Sequence, residues 1–169
     1  MVAFNDVQAQ LVNLQSRSRF LGIHEVRKIA FFLEPNEKIL ICKKGWVDKR
    51  STLICVTDKR IAFIDVRSEK FLMGSLDFAH VTSILGYKGK VTKVVNVHTD
   101  GSVLSFVTWR AKDARELHDT LDRHLRYVQG NDYSVTRKKI VTGIQLPVRD
   151  RNIKTSFVKF LGATSVARN

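Results

Sequence analysis

Five histidines and two cysteines are the side chains of this 169-residue sequence best suited to move protons, hold a metal or attack a substrate. The histidines (His24, His80, His98, His118 and His124) sit in unrelated local contexts. His118 and Asp122 share a helix face at i,i+4, a base-and-orienter spacing. His118 also falls on the apolar stripe of that helix, where a satisfied core histidine is the simpler reading. His124 projects away from His118, so the two make no metal pair. The sequence contains no glycine-rich phosphate loop, no His-Glu-x-x-His and no Cys-x-x-Cys. It therefore predicts no catalytic residue, no metal site and no cofactor. Cys42 and Cys55 are symmetric about residues 48–49, so a hairpin centred there sets them directly opposite. A bond between them is conceivable, but a reducing compartment favours two small buried hydrophobes.

Positive charge is the stronger chemical signal. Lys43, Lys44, Lys49 and Arg50 surround Trp46 and Val47 on the first hairpin, and Lys88, Lys90 and Lys93 lie around a later one. Ammonium and guanidinium groups on one rim would make an anion site. Trp46 would suit a headgroup interface. The competing reading is that strand tips are charged because they face water. A third cluster, Arg137, Lys138 and Lys139, precedes the strand-like run 140–144. Further on, Ile153, Phe157, Val158, Phe160 and Leu161 fall at helical spacing among Arg151, Lys154 and Lys159. A short basic amphipathic segment of that kind docks on its own barrel, on a neighbour or on a membrane surface.

The elements that must position these groups follow from periodicity. Phe4, Val7, Leu11 and Leu14 recur at helical spacing, with Asn5 or Asp6 available as a cap. Val26, Ile29, Ala30 and Leu33 form a second helical face that must end before Pro35. From Glu37 the period becomes two. Strands are predicted over residues 38–47, 51–56, 60–66, 71–75, 81–87, 93–99 and 103–109. Residues 76–80 form a short bridge with one helical turn, and Asp100-Gly101 is a hairpin signal. A last helix starts near Ala111, with Ala114, Leu117, His118, Leu121, Leu125 and Val128 on its apolar side, and stops at Gly130-Asn131. This is a mainly β chain: a seven-stranded antiparallel barrel plugged by a C-terminal helix, with N-terminal helices and a C-terminal extension.

Four segments of this barrel resemble the bacterial pleckstrin-homology (PH) domain families, the YokE-like one in particular. They are residues 33–40, residues 53–65 with Val56-Thr57-Asp58-Lys59-Arg60 at their centre, residues 76–84, and Lys112-Asp113-Ala114 opening the last helix. The resemblance covers residues 33–126 and implies a barrel of two packed sheets closed by that helix. It divides the chain into a helical extension (1–32), the barrel (33–126) and a basic extension (127–169). It implies no settled ligand, although the first hairpin of eukaryotic PH domains grips inositol phosphates, and some bacterial relatives self-associate. Thr57-Asp58 is read as a turn that joins two strands, with Lys59-Arg60 capping its solvent end, and so as a fold signature.

Net charge is +13. It divides as +2 over residues 1–32, +5 over 33–126 and +6 over 127–169, so the imbalance is concentrated in the tail. The N-terminus has no secretory pattern and the longest apolar runs are four residues, so the expected location is cytoplasmic, with a peripheral inner-membrane association open. The expected role is a non-catalytic interaction module for a protein partner or a homo-oligomer, with an anionic membrane surface as a variant. The alternative is nucleic-acid binding through the basic hairpins and tail. It is weakened because Phe63, Phe71 and Phe106 are placed in the barrel interior and no helix carries a basic face.

Overall fold

The computed structural model describes residues 2–14, 21–47, 49–66, 73–86 and 93–130. Two helices come first, α1 (Phe4–Asn13) and α2 (Ile23–Phe32). Ala3 rather than Asn5 or Asp6 occupies the cap of α1, and Asp6 instead lies in the first turn, where the helix dipole favours an acid. Seven strands follow: β1 (Ile39–Val47), β2 (Arg50–Thr57), β3 (Arg60–Asp65), β4 (Met73–Asp77), β5 (Val81–Gly86), β6 (Val94–Thr99) and β7 (Val103–Thr108). A 3-10 turn, Phe78–His80, joins β4 to β5, and α3 (Ala111–Gln129) ends the described chain. Leu76 and Asp77, expected in the bridge, extend β4 by pairing with Ile61 and Arg60. Phe71 lies outside the described residues.

The strands form one antiparallel sheet in the order β4-β3-β2-β1-β7-β6-β5. Among the described residues, β1 meets β7 through Gly45↔Thr108 and Trp46↔Val107. Gly45 is required there, because a Cβ would collide with the Val107 carbonyl. The inner face gathers Ile41, Ile54, Val56, Ile61, Phe63, Val95, Val97, Leu104 and Phe106 into one core. α3 closes it with Ala114, Leu117, Leu121 and Leu125, lying against β1, β5, β6 and β7.

The outer face of β1, β2 and β3 builds a second core under α1 and α2. Cys42, Leu53, Cys55, Ala62 and Ile64 meet Val7, Leu11, Val26, Ile29, Ala30 and Leu33 there. This explains why β2 and β3 are apolar at both parities: each is covered on both sides. Arg60 locks the two layers together. Its guanidinium bonds to Glu37 Oε1 (3.1 Å) and Oε2 (2.9 Å), donates to the Phe32 carbonyl (3.2 Å), and lies 4.3 Å from the Phe32 ring centre. Thr57 Oγ1 donates to Glu37 (2.6 Å) and accepts from the N–H groups of Lys59 and Arg60, making the expected turn. Arg60 does not cap the solvent end as its charge suggested; a buried carboxylate draws it inward. Burial alone would raise the Glu37 carboxyl, but the bonds from Arg60, the Glu34 N–H and Thr57 outweigh it and hold Glu37 below the usual carboxylate range.

Candidate interaction surface

Strand alternation sorts the basic residues of the first hairpin to different fates. Lys43 points inward, 7% exposed, and donates to Asp113 (2.9 Å) and Glu116 (2.7 Å) on α3. Burial tends to raise Asp113, but Lys43 and Arg110 hold its carboxyl below the ordinary range. Lys43 therefore ties the plug helix to the barrel. Lys44 points outward to Glu25 on α2 (2.6 Å). Burial opposes that pair too, yet the Lys44 bond lowers the Glu25 carboxyl. Charge at these two positions could not have revealed either pairing, because their acidic partners lie 19 to 73 positions away.

Trp46, Lys49 and Arg50 remain at the hairpin end. Lys49 is exposed and adopts φ 66°, a left-handed conformation that glycine takes at lower cost. Lys93 precedes β6, and its carbonyl accepts from the N–H (2.6 Å) and hydroxyl (3.1 Å) of Thr108, the residue paired with Gly45. The fold thus brings Lys93 to the β1–β7 junction, about two strand spacings, roughly 10 Å, from Gly45. Lys88, Lys90, Arg137, Lys138 and Lys139 lie outside the described residues.

The junction carries a residue that periodicity alone does not single out. Trp109 follows β7 on the outer parity and stacks on Trp46, with ring centres 4.3 Å apart and planes tilted by 42°. Trp109 is 61% exposed, and Val103 and Val107 on the same parity are 42% and 37% exposed. Half-buried Val94 and Leu85 extend the patch across β6 and β5. A signal was present: β7 is apolar at both parities, as β2 and β3 are. Farther along the same face, Ser83 opposes His98, and among the described residues neither Ser83 Oγ nor His98 Nε2 has a hydrogen-bond partner. Burial pushes the His98 imidazole down.

The other histidines sit apart. His118 is not a core residue; half-buried against Gly86, it approaches Asp119 (3.1 Å) while Asp122 bonds to Arg126 (2.7 Å). His124 Nε2 lies 3.0 Å from the Asp58 carbonyl, with its ring edge-on to Phe78. A groove of about 550 Å³ between α1 and the start of β1 is lined by Asp6, Gln10, Asn13 and Lys38 among others. Gln10 is already committed there, accepting from the Ile39 N–H (2.8 Å).

The sequence model of the family described as Bacterial PH domain matches residues 33–122, more than half of the chain. The chain belongs to the bacterial PH domain family. No curated protein matches it. Solved structures similar to this PH domain include the Vps36 N-terminal PH domain (15% identity, 57% of this chain and 85% of that one, TM-score 0.45). The N-terminal PH domain of human ARAP2 is similar at 12% identity over 53% of this chain and 84% of that one, with TM-score 0.44. The hSac2 domain of human phosphoinositide phosphatase Sac2 is similar at 13% identity over 87% and 89%, with TM-score 0.39. In this PH domain no described helix is long and apolar enough to cross a membrane.

Proposed function

We propose that this PH domain is a non-catalytic docking module that seats an acidic protein surface, carrying an apolar anchor, on the Trp46–Trp109 end of its sheet. The tryptophan stack beside Val107, half-buried Trp46 under exposed Trp109, carries this reading, because paired indoles on a sheet face supply large apolar area at little entropic cost. Its surroundings are basic: Lys49 and Arg50 end the hairpin, Arg110 and Lys112 follow Trp109, and Lys93 flanks β7. Keeping a lysine at φ 66°, where glycine would be less strained, supports a use for that side chain. The same chemistry suits an anionic membrane surface, so the test separates the two. Affinity capture is to be run with wild type, Trp109→Ala, Lys49→Glu and, as a control on exposed α2, Ile23→Ser. The reading expects a partner retained by wild type and the control and lost in the other two. Equal capture by all four would sink it. Sedimentation with phosphatidylserine vesicles, sensitive to Trp109→Ala, would instead assign the face to a membrane.

A further inference from the structure

We propose that Cys42 and Cys55 form a redox dithiol that closes to an intramolecular disulfide beneath the N-terminal helices when a peroxide reaches them. The two are direct Cα partners across β1 and β2. Both are free, at 2% and 0% exposure, and their sulfurs lie 3.0 Å apart. Opposed residues of antiparallel strands have Cα atoms about 4.5–5.5 Å apart, inside the span of about 4.4–6.8 Å that disulfides bridge. Closure therefore needs the sulfurs to approach by about 1 Å, with the strand register kept. These are the chain's two cysteines, so no third thiol competes for either.

The chemistry balances with one peroxide. A thiolate of the pair attacks a peroxide oxygen, the O–O bond breaks, and the departing hydroxide takes up a proton as water, leaving a sulfenic acid. The second thiol then attacks that sulfur and loses its proton, and the hydroxide it displaces leaves as a second water. Two electrons pass from the thiols to the peroxide, and one S–S bond replaces two S–H bonds.

The fold sets when this can happen. Both sulfurs lie under the layer formed by Val7, Leu11, Val26, Ile29 and Leu33. The neighbouring Cys42 thiol and burial push the Cys55 thiol well above its usual range, so the reactive thiolate is scarce while the cover is closed. Oxidation thus follows the lifting of α1 and α2, and the bond records that opening.

Intact mass and denatured-state alkylation after hydrogen peroxide treatment test the proposal. The full chain should lose two hydrogens and become resistant to alkylation while remaining monomeric on a non-reducing gel; Cys42→Ser should show neither change. Val26→Ala, which thins the cover, should raise the rate about tenfold by easing local opening. If wild type stays reduced because the cover is too tight, Val26→Ala in urea below its unfolding transition should still close the bond. Thiols that remain alkylatable there, oxygen adducts in place of the bond, or cross-linked dimers would overturn the proposal. Equal rates in wild type and Val26→Ala would overturn the gating by the helices.

Discussion

The outer face of the sheet is apolar on both sides of the β1–β7 junction, yet the two sides are treated differently. Over β1, β2 and β3, two helices bury Cys42, Leu53, Cys55, Ala62 and Ile64 to 2% exposure or less. On the β7 side, Val103, Val107 and Trp109 stand 37% to 61% exposed. Gly45 and Trp46 are where one half passes into the other. The same binary pattern thus marks a built interior in one place and an available surface in the other. What separates them is a cover, and in the first half that cover is clamped.

Arg60 is the clamp, and its loss should produce the largest effect. Arg60→Met leaves the buried Glu37 carboxylate without its cation and frees α2 from the sheet, which should cost about 3–5 kcal/mol in urea unfolding. A loss under about 1 kcal/mol would show that the helical cover stands without the clamp. Acid probes the same group. The folded Glu37 pKa lies below its unfolded value, so its contribution is complete above the ordinary carboxylate range and disappears as pH falls through the folded value. Asp113, lowered in the same sense, adds to the slope. Wild type should weaken steadily below that range, and Glu37→Gln should show a shallower decline. Parallel curves would remove Glu37 from the clamp.

The next effect compares the two apolar halves directly. Ile29→Ala opens a hole in the covered half, where the residue is fully buried, and should cost about 2–4 kcal/mol. Val107→Ala, on the open half, should cost less than about 0.5 kcal/mol. Similar losses at both sites would mean that the β7 side is interior after all.

Much of this comparison is legible in the amino-acid order alone. The strands follow from period two, the Cys42–Cys55 opposition from the symmetry of the hairpin, and the turn at Thr57 from side-chain chemistry. The fates of Lys43 and Lys44 are not legible, because alternation says that neighbours face opposite ways without saying which way holds an acid. Lys43 has the sequence context of a ligand-binding cation and is a structural one. Substituting Lys43 and Lys44 together by glutamate would therefore strip α3 and α2 of their ties rather than report on a ligand. Trp109 escapes the sequence pattern for a related reason. Its partner Trp46 is brought beside it by the β1–β7 pairing, a contact between distant parts of the chain that leaves no local periodic trace.

A small change in stability should come with the largest change in recognition. Trp109→Ser removes a mostly exposed ring whose remaining support is the tilted stack on Trp46. Such a stack is worth about 0.5–1.5 kcal/mol, and exposing the face of Trp46 to water adds only a little to that loss, so the melting temperature should fall by only a few degrees. A surface that exists to be covered contributes little until its partner arrives. The substitution should therefore abolish retention of that partner while leaving urea unfolding nearly unchanged. If unfolding shifts as far as it does for Ile29→Ala, the tryptophan pair belongs to the fold, and the two halves of the sheet differ only in the depth of their burial.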